Sequence, residues 1–301
     1  MIFSEDGNEI SSCYLCGSNN SRDLYKNTNI VKCNNCGFVF YKYLPDKKTI
    51  DDIYSGYSRD SYITDESHKK ITSNLKKILS LQNIQKVLDI ACGECYYLDA
   101  LREIDPSIEL FASEHISAKE NVISKGYSFV EGELFPVCDN KYDLIIFTEA
   151  IEHINTPKQF LSHAKKLLNN NGLIYITTPC FSSIERLITK ENWYHIMPPE
   201  HLGYFTKKTL NSALDDTGFK KVYLNSFDIS VVSILESLKT NNSIQNLSNR
   251  DLNTKSIQET SDKIQSIVSN NKLLLFLKKV VNQFLNIFGL GSSLQGLYRV
   301  K

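Results

Sequence analysis

The chain has 301 residues, room for one large domain with appendages or for two domains, and enough length to bury a substantial core. Its 34 Lys and Arg residues equal its 34 Asp and Glu residues, so no global field attracts nucleic acid or an anionic membrane, a local patch being left open, and no nucleic-acid partner is expected. Met1–Asp6 lacks a basic stretch leading into an apolar run, and no apolar run reaches the ~18 residues that span a bilayer, so neither a signal peptide nor a membrane span is expected. Eight cysteines in such a chain point to the reducing cytoplasm, where thiols bind metal more often than they pair.

Residues 1–45 are organised by two knuckles, Cys13-Tyr14-Leu15-Cys16-Gly17 and Cys33-Asn34-Asn35-Cys36-Gly37. Two residues between thiolates let a tight turn aim both sulfurs at one ion, and two such turns complete a tetrahedral shell. Cys13, Cys16, Cys33 and Cys36 are therefore the expected ligands of a zinc ribbon. Iron in a rubredoxin-like site fits the same spacing. With all four positions filled by protein, the metal is structural. Gly37–Tyr41 then reads as a strand leaving the ribbon.

The stretch from Asp46 to Ser61 is polar and tyrosine-rich, a connector or a lid (Tyr54, Tyr57, then Tyr62). Ile71, Leu75, Ile78 and Leu79 recur at helical spacing and predict a helix over Glu66–Leu81. Strands follow at Lys86–Ala91, Glu109–Glu114, Tyr127–Val130, Tyr142–Thr148 and Gly172–Thr178. Helices near Tyr96–Ile104, Ser117–Lys125 and Pro157–Leu168 alternate with them. That alternation builds a doubly wound α/β sheet with helices on both faces, and residues 46–226 form this core.

Val87–Ile90 is a buried strand that turns at Gly93 into a helix carrying Leu98 and Leu101 on one face. Unpaired N–H groups of such a turn face the carboxyl edge of the sheet, where ligands of open α/β sheets bind. By itself the turn fits either a nucleotide-like ligand or an ordinary strand–helix connection. Glu114, at the tip of the second strand and about 20 residues beyond the turn, is placed to accept hydrogen bonds from ribose hydroxyls. After the third strand, Glu131 or Glu133 lies in the loop expected beside an adenine amino group.

Thr206–Leu210 opens a helix ending near Gly218, Phe219–Ser226 is the sixth strand, and residues 292–301 hold the seventh, antiparallel one. Residues 227–291 are thus an insertion between the last two strands. Within it Thr240–Ser261 is rich in Asn, Ser and Gln and is expected to be mobile. Lys272–Leu290 is apolar, with Lys278 and Lys279 inside it. Three roles fit: packing on the core or a dimer partner, peripheral membrane contact through 272–290, or a hydrophobic substrate cap.

The fourth strand ends Phe147-Thr148, followed by Glu149-Ala150-Ile151-Glu152-His153-Ile154 and Pro157. With Val87–Leu98, Glu114 and Gly172–Pro179, this ordered set resembles the class I S-adenosylmethionine-dependent methyltransferases over residues 84–225. The resemblance implies an enzyme with a Rossmann-like seven-stranded core. In it Asp89 orients the first loop, Gly93 admits the cofactor's amino-acid part, Glu114 holds the ribose, and Thr148 and Glu149 line the methionyl end. Ala91 and Cys95 stand where the family has glycine. Each adds a β-carbon that disfavours positive φ by ~1–2 kcal/mol, which bears on cofactor affinity. Cys92 falls where such loops commonly carry cysteine, so Cys92 and Cys95 are not read as a second metal site.

A subgroup with a zinc module ahead of this core includes C-methyltransferases of nucleotide-linked deoxysugars. The segment Glu200-His201-Leu202-Gly203-Tyr204-Phe205-Thr206 resembles the loop that covers the active site in that subgroup. By that resemblance His201 is the general base, with Glu200 beside it. Substrate binding or a helix-capping role are alternatives for His201, and His153 and then His195 are the next candidates for the base. A tyrosine of the sugar C-methyltransferases is Pro198 here, so C-methylation does not carry over. The expected acceptor is a small molecule, first a nucleotide-linked or surface-glycan sugar, with O-methylation of a quinone-like molecule as the alternative. A catalytically inactive methyltransferase-fold binding protein is the reading from another class.

Overall fold

The computed structural model describes residues 9–26, 28–46, 48–49, 63–229, 234 and 271–301. Tyr54, Tyr57, Tyr62 and the polar stretch Thr240–Ser261 lie outside the described residues. The ribbon contributes β1 (Ser21–Asp23), β2 (Ile30–Cys33) and β3 (Val39–Tyr41), paired antiparallel in that order. Helix α1 (Asp65–Leu79) follows; Thr64 accepts the Ser67 amide at its start, and Leu75 and Ile78 form its fully buried face.

The core holds β4 (Lys86–Ile90), α2 (Tyr96–Ile104), β5 (Glu109–Ser113), α3 (Lys119–Ser124), β6 (Ser128–Phe129), β7 (Tyr142–Thr148), α4 (Pro157–Leu167) and β8 (Leu168–Pro179). It continues through α5 (Ile184–Thr189), β9 (Gly203–Tyr204), α6 (Lys207–Asp216), β10 (Phe219–Phe227), α7 (Lys272–Phe288) and β11 (Ser293–Val300). Seven strands form one sheet in the order β10-β11-β8-β7-β4-β5-β6. β4 pairs parallel with β5 and β7, whereas β11 runs antiparallel between β8 and β10. This is the Rossmann-like α/β arrangement expected, with the last strand reversed.

Both faces of the sheet are covered, which explains why its strands read as apolar runs. Leu88, Ile90, Ile145, Phe147, Ile174 and Ile176 pack on one side with residues of α4 and α6. Val87, Leu144, Ile146, Leu173 and Tyr175 pack on the other with α1 and α2. The order of β7, β4 and β5 places the switch in winding direction beside β4, and this is where the loop Ala91–Cys95 opens.

Two short elements of the core, α5 and β9, were not foreseen. β9 has two residues and joins the ribbon, giving a four-stranded sheet in the order β1-β2-β3-β9. Val39 pairs with Tyr204 and Phe40 with Gly203. The Phe38 ring tilts against Phe205 at 4.9 Å between centroids, and the ribbon's Cys13, Leu15, Phe38 and Phe40 share one apolar cluster with the core. A β-carbon at Gly203 would meet the Phe38 ring at 2.8 Å, so only glycine admits this approach.

Candidate active site and metal centre

Gly17 and Gly37 follow the two cysteine pairs with φ of 70° and 79°, the left-handed turn each knuckle needs. Their amides bond back to the carbonyls of Cys13 and Cys33 at 2.9 and 3.0 Å. The turns bring the four sulfurs into one cluster, with Sγ separations of 3.7 Å for Cys13–Cys36 and 3.6 Å for Cys16–Cys33. A tetrahedron with arms of about 2.3 Å has edges of about 3.8 Å, so the cluster has the dimensions of a zinc–thiolate shell. The Leu15 amide and the Asn35 side-chain amide donate to Cys13 and Cys16, supplying the outer hydrogen bonds that orient such ligands.

At the end of β4 the chain turns through Ala91, Gly93 and Cys95 with φ of 55°, 51° and 63°. The two non-glycine positions therefore keep the left-handed backbone despite their β-carbons. Space beside Gly93 is open, with no atom within 4 Å of a β-carbon built there. The Gly93 amide donates to Glu114 Oε2 at 2.9 Å, so the acid at the tip of β5 reaches this loop. Asp89 is buried at the end of β4, and its Oδ2 has no hydrogen-bond partner among the described residues. Burial, with the nearby charges of Cys95 and Glu114, holds its carboxyl well above the usual carboxylate range. A buried acceptor left unpaired beside an open loop fits a site completed by a ligand. Glu131 instead projects to Lys119, 3.2 Å away. Glu133 is the more enclosed of the two acids, its carboxyl raised by burial and then by the charge of Glu114.

β7 ends at Thr148, and Glu149 reverses the chain with φ of 49°. Its amide bonds the Thr177 carbonyl of β8 at 3.0 Å. Glu149 is exposed by surface area, yet desolvation by the atoms packed around it raises its carboxyl. A single 3-10 turn, Ile151–His153, then aims Glu152 inward, where it accepts a hydrogen bond from Thr178 Oγ1 at 2.8 Å. Glu152 is 2% exposed, and burial raises its carboxyl well above the ordinary range. The sequence reading passed over Glu152. Its position between Ile151 and Ile154, both fully buried, was the available signal.

The Glu200–His201 loop closes over these residues. The Leu202 amide donates to the Glu152 carbonyl at 2.8 Å, and the Leu202 carbonyl accepts from the Tyr41 amide of the ribbon at 2.9 Å. His201 Nδ1 lies 2.8 Å from the His195 carbonyl and His153 Nδ1 3.0 Å from the Glu200 carbonyl. A carbonyl only accepts, so both rings carry hydrogen on Nδ1, and His153 also makes a backbone hydrogen bond with Glu149. The two rings meet edge to face, with centroids 4.8 Å apart. Burial lowers the His153 and His195 imidazoles, the latter to about 4, so both are neutral near pH 7.

The structure thus gathers Glu149, Glu152, His153, Glu200 and His201 at the carboxyl edge of the sheet. Donor atoms of Glu152, His153 and His201 lie within 4.8 Å of one another, close enough to serve one proton network or one cation.

A family model described as a methyltransferase domain matches residues 62–224. Among curated relatives, a ubiquinone biosynthesis O-methyltransferase of Pelagibacter ubique (strain HTCC1062) is 31% identical over 105 residues, covering 33% of this chain and 43% of that protein. A mitochondrial ubiquinone biosynthesis O-methyltransferase of Dictyostelium discoideum is 26% identical over 153 residues, 43% of this chain and 48% of that one. The matches therefore span less than half the length of either relative. Among solved structures, a SAM-dependent methyltransferase from Archaeoglobus fulgidus is similar with a TM-score of 0.48 at 16% identity, covering 84% of this chain and 100% of that one.

Proposed function

The chain belongs to the methyltransferase-domain family, and from that premise we propose that it transfers a methyl group from S-adenosylmethionine to a small-molecule acceptor. When bound, the cofactor supplies a sulfonium-activated methyl group. Asp89, Gly93 and Glu114 are the residues proposed to hold it, with Ala91 completing the turn and Thr148 and Glu149 at the methionyl end. Glu131 has the least support in this set, since its carboxylate is engaged with Lys119.

The observation that carries the acceptor reading is the joint between the ribbon and the Glu200–His201 loop. β9, two residues after His201, is a strand of the ribbon sheet, so the base is carried on a segment held from both sides. His201 takes the proton of the attacking hydroxyl at Nε2, while its Nδ1–H is fixed on the His195 carbonyl. His153 stands against it edge-on, and Glu200 anchors His153 through its carbonyl. A positioned base of this kind contributes about 10²–10⁴-fold. Exclusion of water by the loop and alignment of the acceptor supply further acceleration.

A ribbon joined to this loop supports a sugar acceptor, nucleotide-linked or part of a surface glycan. The names of the matched relatives favour a second reading, O-methylation of a quinone-like phenol. In both readings Cys13, Cys16, Cys33 and Cys36 hold one structural metal ion, zinc before iron, and a chain that uses its cysteines in this way fits the cytoplasm. The test is methyl incorporation into a panel of nucleotide sugars and phenols, with wild type beside His201→Ala. We expect turnover of one acceptor class and a loss of about 10²-fold or more in the variant. Full turnover by His201→Ala would remove His201 as the base.

A further inference from the structure

Helix α7 is mounted with its polar side toward the protein and its apolar side outward. The inward register is fixed by bonds that an apolar face could not make. Asn286 Oδ1 accepts from Lys207 Nζ and the Ser226 amide at 3.0 Å each, and its Nδ2 donates to Asn225 Oδ1 at 3.0 Å. Asn282 Oδ1 accepts the Asp228 amide at 3.2 Å, and the Leu285 carbonyl accepts from Ser226 Oγ at 3.0 Å. Leu285 is the apolar residue that this side buries, at 1% exposure.

Leu273, Phe276, Val280, Phe284, Ile287 and Phe288 recur every three or four residues on the opposite side, one continuous stripe along the helix. Phe276 is 62% and Ile287 70% exposed, and no described residue covers the stripe. Rotating the helix to bury it would break the five bonds above. Among the described residues the stripe is therefore directed outward. A surface this apolar calls for a partner.

Charge identifies that partner. The chain as a whole is neutral, yet α7 itself holds Lys272, Lys278 and Lys279 and no acidic residue. A helix with three lysines, no acid and three phenylalanines on its apolar stripe has the composition of one that lies in the lipid headgroup region. Helix α5 begins where α7 ends, its Ile184 amide on the Leu290 carbonyl at 2.9 Å, and presents Leu187 and Ile188 exposed on its own surface. No described helix is long and apolar enough to cross a membrane, so the contact is peripheral.

We propose that α7 docks the protein on an anionic lipid surface through the Leu273–Phe288 stripe. This docking stands apart from the methyl-transfer reading and survives its failure. The experiment is co-sedimentation of the full chain with vesicles of phosphatidylcholine alone and of phosphatidylcholine mixed with phosphatidylglycerol. Binding to the mixed vesicles is expected, weakened by added salt and by about tenfold in Lys278→Glu/Lys279→Glu. Phe276→Ser/Phe284→Ser/Phe288→Ser should abolish it while the far-ultraviolet spectrum and melting profile are kept, since these side chains are solvent-facing. Absence of binding to the mixed vesicles overturns the proposal. So does a dimer in light scattering that the triple variant dissolves, because the stripe would then belong to a second copy. Equal binding to neutral vesicles would remove the electrostatic part of the argument and overturn the anionic assignment.

Discussion

Ala91 shows how a residue type can mislead while the backbone it forms does not. By side chain it departs from the family's glycine, yet its φ of 55° is the conformation that glycine would take. Cys95 does the same at 63°, and Glu149 at 49° on the opposite lip of the recess. Left-handed backbone at a residue with a β-carbon costs ~1–2 kcal/mol, and strain of this kind gathers at ligand sites. The family resemblance marked Ala91 and Cys95 as positions where φ matters, but composition and spacing alone do not encode φ, and nothing marked Glu149. Removing the β-carbon of Ala91 should relieve the strain, offset in part by the greater freedom of glycine in the unfolded chain. Ala91→Gly is expected to stabilise the protein by about 1 kcal/mol, a rise in melting temperature of roughly 2–4 °C. An unchanged or lower melting temperature would show that the loop is not strained at that position.

At the scale of elements, the pieces that were legible are those with a repeating apolar pattern. β4, β7 and β8 are buried on both faces and read as apolar runs, and α1 and α4 carry their buried residues at helical spacing. β9 was hidden because two residues, one of them glycine, have no period. Its pairing with β3 depends on Phe38 closing over Gly203, a contact between segments 165 residues apart in the chain (203 minus 38). The inverted mounting of α7 was hidden for another reason. Its apolar spacing is that of a packed helix, and only the bonds of Asn282 and Asn286 show which side faces inward. The ribbon joint has a functional consequence. Stripping the metal proposed at the four cysteines should release β3 from β9 and slacken the His201 loop, while the Ala91–Cys95 turn follows β4 in the other sheet. Chelation under native conditions is thus expected to lower methyl transfer by about tenfold or more, with affinity for S-adenosylmethionine kept within about threefold. Loss of cofactor affinity with the metal would contradict this division of labour.

Over the whole molecule, the three regions would divide the work of the proposed group transfer. The parallel sheet holds the Ala91–Cys95 turn at one strand end, the ribbon pairs with the segment that follows His201, and α7 turns its apolar stripe away from the core. The doubly wound sheet of seven strands and the reversed β11 were expected from the alternation of elements together with the family resemblance. How the ribbon meets the core was not, since it depends on contacts that no local pattern records. The account rests on the recess at Asp89, Ala91, Gly93 and Glu114 being a cofactor site. Calorimetric titration of the metal-loaded chain with S-adenosylmethionine tests this directly. Saturable one-to-one binding with a Kd of roughly 1–100 μM is predicted, weakened at least about tenfold in Glu114→Ala. No heat of binding at about millimolar cofactor, or equal affinity in Glu114→Ala, would contradict it.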